Sequence, residues 1–271
     1  MPELPEVETI KNYLEKFLLG KKIVGFRNLN KKQIKIKAKE IIGEKISNIE
    51  RKGKILILTL TNNKKVYIHL KMTGQLIFQH ELKPIKFTRA IFQFSRAYLL
   101  FNDARKFGWI KFQSEEIKKL GIEPFNQAFN LQNLQKIFRA SKRPIKRVLM
   151  DQKKIAGIGN IYANEALFLA KINPLKPASA LTNEEIRELR NSILEVLKKA
   201  LKYEGTSLRF YLKPDQTNGR YQEKFLVYQK EGENCYYCHD KIKKIFLDGR
   251  STFYCPSCQK EEPNLLRRTT K

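Results

Sequence analysis

Four cysteines near the C-terminal end constrain the fold of this chain more than any other feature of its sequence. They form two Cys-x2-Cys pairs, Cys235 with Cys238 and Cys255 with Cys258, and a basic stretch separates the pairs. Each pair places two thiols on one tight turn, and this spacing is typical of a four-cysteine zinc ribbon. Because four thiolates complete a tetrahedral shell, we expect one structural Zn2+ with no position open for catalysis.

The stretch between the two pairs, CHDKIKKIFLDGRSTFYC, is expected to fold as a hairpin. Its Asp248-Gly249 dipeptide favours a two-residue hairpin turn, because both residues tolerate positive φ. The zinc would then hold the hairpin in place, and any function would lie in what the hairpin presents. Lys243, Lys244 and Arg250 are the candidates for that role.

A large positive charge indicates a polyanionic partner for this chain of 271 residues. Lysine and arginine number 54 against 27 acidic residues, for a formal net charge of +27. This excess favours nucleic acid as the partner, with an anionic membrane as the second possibility. We find no apolar run long enough to span a membrane, and no basic segment followed by an apolar one at the N-terminus. We therefore expect a cytoplasmic protein whose cysteines bind metal rather than form disulfides.

The order of patterns along the chain predicts a β-rich region followed by a helical one. Apolar residues at helical spacing predict an amphipathic helix over residues 4–19. Short aliphatic and aromatic runs separated by polar or glycine breaks predict strands at Ile55–Leu60, Val66–Leu70, Ala90–Phe94 and Tyr98–Asn102. Residues 131–202 are mostly helical in character, and short strands are expected around the cysteines.

Five motifs in a fixed order resemble the bacterial formamidopyrimidine-DNA glycosylase family. They are MPELPEVE at 1–8, HLKMTGQL at 69–76, NDARKFG at 102–108, IAGIGNIYANEALF at 155–168 and GRSTFYCPSCQ at 249–259. The resemblance covers nearly the whole chain. It implies an α+β fold with an N-terminal helix and a two-layer β-sandwich, then a helical domain with a helix–two-turn–helix motif and a four-cysteine zinc-ribbon hairpin.

The resemblance also implies a division into domains, with DNA between the two large ones. The expected parts are a catalytic β-sandwich domain at 1–124, a linker at 125–131, a helix–two-turn–helix domain at 132–231, a zinc finger at 232–260 and a tail at 261–271. The implied function is that of a bifunctional DNA glycosylase and AP lyase. It would act as a monomer on duplex DNA and remove oxidised purines such as 8-oxoguanine and formamidopyrimidines.

The opening MPELPEVE carries the implied catalytic pair, Pro2 and Glu3. Loss of Met1 would expose the secondary amine of Pro2, and an α-amino group has a pKa near 7.7–8.0 that a helix N-terminus lowers further. By resemblance, this amine attacks the sugar C1′ and forms an iminium that permits β- and δ-elimination, while Glu3 protonates the opening sugar. From the residues alone, Pro2 could merely start a helix and Glu3 could merely complement its dipole. Glu6, one turn later, is either a site residue or a first-turn acid.

Two basic residues are implied to assist strand cleavage. By resemblance, Lys54 in RKGKILIL serves elimination and contacts a phosphate at the lesion, and Arg250 in GRSTFYC binds phosphate and serves δ-elimination. In so basic a chain, the alternative for each of them is a solvated surface charge.

Three further residues match the family's intercalating set: Met72, Arg105 and Phe107. A lesion base must leave the stack before its C1′ can be attacked, and something must fill the gap. Met72 and Phe107 could wedge into the stack, and Arg105 could bond to the orphaned partner base. The alternative is that Met72 and Phe107 are ordinary core residues of a β domain.

Phosphate contacts in the helical domain are implied for Lys146 and Asn160. Asn160 follows two glycines and could cap the next helix, whose N-terminus is itself an anion site. The loop at 215–222 falls where the family covers the everted base. Two departures affect the expected DNA contacts: Phe87 replaces a DNA-contacting histidine, and Lys71 replaces a glycine before Met72.

Two other functions remain open on the sequence alone. An endonuclease VIII-type relative would remove oxidised pyrimidines with the same nucleophile, although the PELPEV and NDARKFG motifs favour purines. A DNA-binding protein without catalysis could keep the same scaffold, but it would be expected to lose Pro2 or Glu3, and both are present.

Overall fold

The computed structural model describes residues 1–83, 85–208 and 211–260. The chain forms two compact units. The first comprises the described parts of Met1–Lys119 and Ala200–Glu223, and the second the described parts of Leu120–Lys199 and Lys224–Lys271. The segment that returns to the first unit lies within the domain predicted at 132–231, whose limits stay a prediction. The tail predicted at 261–271 lies outside the described residues.

Helix α1, Leu4–Leu18, confirms the amphipathic helix predicted at 4–19. Its proline at the first turn suits a helix start, because the missing N–H is one that no helical carbonyl would accept. Gly20 follows its C-terminal end with a φ of +74°, a conformation that glycine adopts without strain. Its apolar stripe is fully buried, and it comprises Leu4, Val7, Ile10, Leu14 and Leu18.

Nine strands in the described part of the first unit build two sheets. In chain order they are β1 Ile23–Asn28, β2 Ile34–Lys35, β3 Ile46–Lys52, β4 Ile55–Leu60, β5 Lys65–His69, β6 Gly74–Gln79, β7 Thr88–Phe94, β8 Ala97–Asp103 and β9 Trp109–Lys111. One sheet has the order β1-β7-β8-β6, and the other has the order β2-β9-β5-β4-β3. Among the strand pairings of these two sheets that the structure describes, only the short one of β2 with β9 is parallel.

The two sheets and α1 share one hydrophobic core. Alternate residues of β4, Leu56, Leu58 and Leu60, belong to the same buried cluster as Leu99 and Phe101 of β8. The period of two in both strands shows that each sheet turns one face inward. The stripe of α1 joins this cluster, so the predicted two-layer β-sandwich with a leading helix is confirmed.

The second unit is mainly helical, as predicted for 131–202. After the four-residue α2 of the first unit, Glu115–Lys118, it contains α3 Leu131–Arg139, α4 Ile145–Met150 and α5 Asn160–Leu169. Helix α6, Asn183–Lys202, runs on into the segment that belongs to the first unit. Within the described residues, no helix combines the length and the apolar character that crossing a membrane requires.

The predicted hairpin between the cysteine pairs is confirmed. Strands β10 Lys243–Leu247 and β11 Arg250–Tyr254 pair in antiparallel register, with Leu247 opposite Arg250. Asp248 and Gly249 form the turn, with φ of +51° and +69°. Positive φ at both positions is the requirement of a type I′ turn, which matches the twist of the two strands.

Candidate functional site

Pro2 and Glu3 lie at the start of α1 and are both buried. Glu3 is the N-cap residue in an extended conformation, and it is only 3% exposed. The carboxylate of Glu6 accepts a hydrogen bond of 2.7 Å from the backbone N–H of Glu3. This bond satisfies one of the N–H groups that a helix start leaves without a helical partner, and it fixes the backbone at Glu3.

The second oxygen of Glu6 holds a distant segment of the chain. Its Oε1 accepts a hydrogen bond of 2.8 Å from the backbone N–H of Thr206. The preceding Gly205 has a φ of +80°, and a Cβ there would lie 2.8 Å from the same oxygen. Glycine is required at that position for both reasons. Glu6 therefore ties the first turn of α1 to the turn at 205–206, within the first unit.

Tyr211 packs against the same junction. Burial, then the nearby Glu6 charge, raises the pKa of Tyr211 well above its ordinary value of 10, so the phenol stays protonated and donates. The backbone carbonyl of Glu204 accepts from it at 3.3 Å.

The predicted lesion-covering loop at 215–222 ends at this junction as well. The N–H of Gly219 donates to Ser207 at 2.9 Å, and that of Tyr221 donates to the Gly205 carbonyl at 2.9 Å. One compact region of the first unit therefore joins the N-terminus, the 205–206 turn and the far end of the loop.

Lys54 lies in the tight turn between β3 and β4, directly after Gly53, whose φ is +57°. Its side chain is 5% exposed, so it is not the solvated surface charge that the sequence left possible. The next residue, Ile55, pairs with His69 at the end of β5. Lys54 is close enough to His69 for its charge to act on the imidazole.

His69 is a buried residue that the sequence-based reasoning missed. Its Nδ1 accepts a hydrogen bond of 3.0 Å from the backbone N–H of Lys71, so the neutral ring carries its proton on Nε2. Burial, then the charges of Lys71, Lys54 and Lys111, lowers the pKa of His69 from 6.5 to about 3. The ring therefore holds the turn before Met72 as a neutral acceptor. Its place in the HLKMTG motif is the only signal that the sequence offers.

Mild acid should destabilise the folded chain through His69. Between the unfolded pKa of 6.5 and the folded pKa of about 3, only the unfolded chain binds the proton, so this contribution to stability is complete above pH 6.5 and falls as the pH drops. At pH 5 the loss is about 2 kcal/mol, since one pKa unit corresponds to about 1.4 kcal/mol. The measurement is the free energy of unfolding in urea at pH 7 and pH 5, for the wild type and His69→Gln.

His80→Gln is the matched control, because His80 is exposed. For His80→Gln, the difference in free energy of unfolding between pH 7 and pH 5 should equal that of the wild type. For His69→Gln, this difference should be about 2 kcal/mol smaller. Equal pH dependence in all three proteins would contradict the neutral, buried imidazole.

The three residues of the predicted intercalating set are exposed, namely Met72, Arg105 and Phe107. The exposed fractions of Met72 and Phe107 are 38% and 52%, so neither is a core side chain. The guanidinium of Arg105 lies 4.7 Å from the centre of the Phe107 ring. Exposed apolar side chains beside a cation have the composition of a surface that inserts between bases.

A buried carboxylate, Asp103, joins the two loops that carry these residues. Its Oδ2 accepts from the backbone N–H of Gly108 at 2.8 Å and from the amide of Gln33 at 2.9 Å. The hydroxyl of Thr73 donates to its Oδ1, and the same hydroxyl accepts from the backbone N–H of Arg105 at 3.0 Å. Because Asp103 is 0% exposed, these bonds hold the Met72 turn and the Arg105 loop in one arrangement.

The two departures from the family pattern are both visible on this surface. Phe87 is 43% exposed with a φ of +73°, and the ammonium of Lys86 lies 5.2 Å from its ring. Lys71 has a φ of +49°, where glycine would be unstrained, and its ammonium pairs with Glu116 at 3.3 Å. The turn before Met72 is thus more basic and more constrained than a glycine would make it.

In the second unit, Lys146 and Asn160 converge on the start of β11. The ammonium of Lys146, a residue only 1% exposed, donates to the Thr252 hydroxyl at 2.7 Å and to the Ser251 carbonyl at 3.1 Å. The amide of Asn160 donates to the same carbonyl at 3.1 Å. Arg250, which precedes Ser251, is exposed. The structure thus brings together the three residues of this unit that were predicted to contact phosphate.

Glu165 is a second buried group that the sequence did not single out. Its carboxylate accepts three backbone N–H groups, from Leu226 at 2.8 Å, Val227 at 3.0 Å and Tyr228 at 2.8 Å. Burial raises the pKa of Glu165, and the three donors oppose that effect. This bond set fastens α5 to the chain that leads into the cysteine module.

The four cysteine sulfurs form one cluster that fits a tetrahedral metal ion. All four Sγ atoms lie within 4.8 Å of one another, with Cys238 and Cys255 3.4 Å apart and Cys235 and Cys258 3.8 Å apart. Zn–S bonds of about 2.3 Å place thiolates about 3.8 Å apart in a tetrahedron, whereas a disulfide needs about 2.05 Å. The cluster can therefore bind a metal ion, and its spacing is wrong for disulfides.

Both cysteine pairs form the same backbone turn. The N–H of His239 donates to the Cys235 carbonyl at 3.0 Å, and that of Gln259 donates to the Cys255 carbonyl at 2.9 Å. The Gln259 amide donates in turn to the Ile172 carbonyl at 2.8 Å, which fastens the module to the helical part of the second unit.

Known proteins match this chain over nearly its whole length. Residues 1–110 match the model of the formamidopyrimidine-DNA glycosylase N-terminal domain. Residues 120–211 match the model of the H2TH domain of the same glycosylase.

Curated relatives and solved structures agree with these matches. The chain is 40% identical to the formamidopyrimidine-DNA glycosylase of Rickettsia massiliae strain Mtu5, over 96% of this chain and 97% of that one. It is 41% identical to that of Carboxydothermus hydrogenoformans, over 96% and 100%. Its fold matches MutM (Fpg) of Thermus thermophilus with a TM-score of 0.89 at 35% identity, over 97% and 100% of the two chains. It also matches Lactococcus lactis Fpg in complex with abasic-site DNA, with a TM-score of 0.88 at 35% identity, over 96% and 100%.

Proposed function

This chain belongs to the formamidopyrimidine-DNA glycosylase family, and from that premise we propose that it excises oxidised purines from duplex DNA and then cleaves the strand. The substrates are 8-oxoguanine and formamidopyrimidines, and the intermediate is an iminium on the N-terminal proline. The observation that carries the proposal is the placement of Pro2 and Glu3 at the start of α1, held by Glu6.

The chemistry begins once Met1 is removed and Pro2 carries a free secondary amine. The amine attacks the sugar C1′, the damaged base leaves, and Glu3 supplies a proton to the opening sugar ring. The N–C1′ bond becomes an iminium, which acidifies the C2′ hydrogens. Loss of a C2′ proton expels the 3′ phosphate by β-elimination, and a further elimination expels the 5′ phosphate.

Lys54 and Arg250 assist the eliminations in this proposal. The buried position of Lys54 beside His69 supports a role inside a site rather than at the surface. Arg250 is exposed at the first position of β11, where it can reach a phosphate. Lys146 and Asn160 support the strand that carries it and complete a phosphate-binding group.

Met72, Arg105 and Phe107 act on the gap that the everted base leaves. The two exposed apolar side chains fill the stack, and the guanidinium bonds to the orphaned partner base. Glu6 positions the nucleophile through Glu3, and its bond to Thr206 links the nucleophile to the lesion-covering loop.

The four cysteines would hold one Zn2+, which stabilises the β10–β11 hairpin without taking part in the reaction. The donor set supports this assignment, because four soft thiolates suit Zn2+ and leave no open position. The protein acts as a monomer in this proposal, since the groups assigned to the reaction come from one chain.

A substrate panel tests the proposed activity. We expect the protein to excise 8-oxoguanine opposite cytosine faster than opposite adenine, and both faster than thymine glycol opposite adenine. The guanidinium of Arg105 can donate to O2 and N3 of an orphaned cytosine, which adenine cannot match, and one good bidentate contact discriminates by about 1–3 kcal/mol. Single-turnover rates measure these differences.

Arg105→Ala should remove the preference between cytosine and adenine, while Lys106→Ala in the same loop should keep it. Faster excision of thymine glycol than of 8-oxoguanine would instead support the endonuclease VIII-type activity. Duplex binding without any excision would support the non-catalytic alternative.

A further inference from the structure

We propose that a lysine-lined groove beside the Arg105 loop binds the sugar–phosphate backbone of the DNA strand opposite the lesion. The groove has a volume of about 660 Å3 and lies in the first unit. Lys31, Lys32, Lys106 and Lys111 line it together with Phe107 and Trp109. We call it the lysine groove. Its four lysines are not among the residues assigned to the reaction above.

The charge of the lysine groove fits a polyanion. Lys31, Lys32 and Lys106 are exposed, and none of them pairs with a carboxylate among the described residues. The described residues that line the groove include no acidic side chain. Exposed, uncompensated ammonium groups this close together repel one another, and a row of phosphates relieves that repulsion while releasing its counterions.

A second groove of the same unit provides a contrast. It has a volume of about 710 Å3 and is lined by Lys35, Lys64 and Lys65, together with Lys111, which lines both grooves. There, however, Glu40 lines the groove and pairs with Lys64 at 3.3 Å. Lys65 likewise lies 4.0 Å from Glu50. The two grooves have similar volumes, and four lysines line each of them, with Lys111 common to both. Among the described lining residues, only the second groove includes a carboxylate.

The turn that carries Lys31 and Lys32 is preformed. The side-chain oxygen of Asn30 accepts from the backbone N–H of Lys32 at 3.1 Å, and its amide donates to Gln33 at 2.9 Å. These bonds fix the turn before any ligand arrives. Binding to it therefore costs less conformational entropy than ordering a flexible loop would.

The same turn is fastened to the loop of Arg105 and Phe107. The amide of Gln33, a residue 5% exposed, donates to the Asp103 carboxylate at 2.9 Å and to the Gly108 carbonyl at 2.8 Å. The backbone that carries Lys31 and Lys32 is thus tied to the loop that carries Phe107. If Phe107 inserts into the base stack, these lysines must lie beside the backbone next to the insertion.

The choice of strand rests on the proposed function, in which Arg105 and Phe107 face the orphaned partner base. Phosphates of one strand recur about every 3.4 Å along the duplex axis, so those flanking the partner base are the nearest anions to a groove that begins at Phe107. The strand opposite the lesion is therefore the occupant.

The test compares two charge-matched triple variants of the full-length, zinc-loaded protein. One is Lys31→Gln/Lys32→Gln/Lys106→Gln, and the other is Lys35→Gln/Lys64→Gln/Lys65→Gln in the contrasting groove. The dissociation constant for a duplex with a tetrahydrofuran abasic site is measured at several salt concentrations. Each lost phosphate contact reduces the slope of log K against log salt by about 0.9. The first variant should lose about 2–3 units of slope, and the second less than about one.

Neutral linkages then identify the strand. Methylphosphonates beside the partner base should weaken binding to the wild type and to the control variant, but not further weaken binding to the lysine-groove variant. Equal salt slopes in the two variants would overturn the proposal, and so would a methylphosphonate effect confined to the lesion strand. Lost binding to vesicles containing phosphatidylserine, with the DNA slope unchanged, would reassign the groove to a membrane surface. Excision of 8-oxoguanine is measured in a separate assay. The binding result can therefore be interpreted even if the protein does not excise this base.

Discussion

Borohydride is expected to trap one covalent adduct between abasic-site DNA and the N-terminal residue of the mature chain, and peptide mapping should find it on Pro2. The secondary amine of proline forms an iminium that carries a permanent charge, and hydride reduces it to a stable amine. A retained Met1 or an N-terminal extension should reduce trapping and strand cleavage to background, because no free amine remains at position 2. A C-terminal extension of the same length is the matched control.

The structure explains why so small a change at the N-terminus should have so large an effect. Pro2 and Glu3 are buried, and the backbone at Glu3 is fixed by the bond to Glu6. A residue before Pro2 would turn its amine into an amide, which cannot act as a nucleophile. If the adduct mapped to Lys54 instead, the N-terminal mechanism would be wrong and a buried lysine would be the nucleophile.

Loss of the metal should produce the second large effect, a collapse of DNA affinity with base excision and β-elimination retained at saturating DNA. Cys238→Ser removes one of four ligands, and the protein should change from one bound zinc per chain to none. The β10–β11 hairpin carries Arg250, and it also supplies the Ser251 carbonyl that Lys146 and Asn160 share. Affinity should fall by at least about tenfold, which corresponds to about 1.4 kcal/mol.

Ser257→Ala is the control for the metal experiment, because Ser257 lies between the ligands Cys255 and Cys258 of the other pair and bonds to Asp240 without being a metal ligand itself. Zinc content and duplex affinity are measured on both variants, and cleavage of a preformed abasic site is measured at saturating DNA. A zinc-free variant that binds duplex DNA normally would show that the hairpin is not part of the DNA-binding surface.

Local patterns predicted those elements whose residues repeat one clear signal. The apolar stripe of α1 predicted the bounds of that helix to within one residue. The Asp248-Gly249 dipeptide predicted the turn of the zinc hairpin. Strand β4, a nearly continuous apolar run, was predicted at its observed bounds. Strand β3, ISNIERK, was missed because it is half exposed at a sheet edge and has few apolar residues. Strand β9 has only three residues, too few for any alternation to appear.

The contacts around the candidate site could not be predicted, since they join positions far apart in the sequence. Glu6 and Thr206 are 200 positions apart, and Gln33 and Asp103 are 70 apart. The exposure of Met72 and Phe107 was equally hidden, because residue type alone favours a core position for both. The role of each predicted site residue rested on motif resemblance, while its support by buried polar partners required the tertiary structure.

The bond between Glu6 and Thr206 also sets an order of events during synthesis. A ribosome releases the first strands and α1 well before residues 200–223, and the whole of α3, α4 and α5 emerges in between. Contacts of such large sequence separation form late, after the loop they close has been made. A nascent or truncated chain that ends before Gly205 therefore lacks the partner that holds its first turn. The end of the chain that carries the proposed nucleophile is therefore made first and gains its hydrogen bond to Thr206 only late in synthesis.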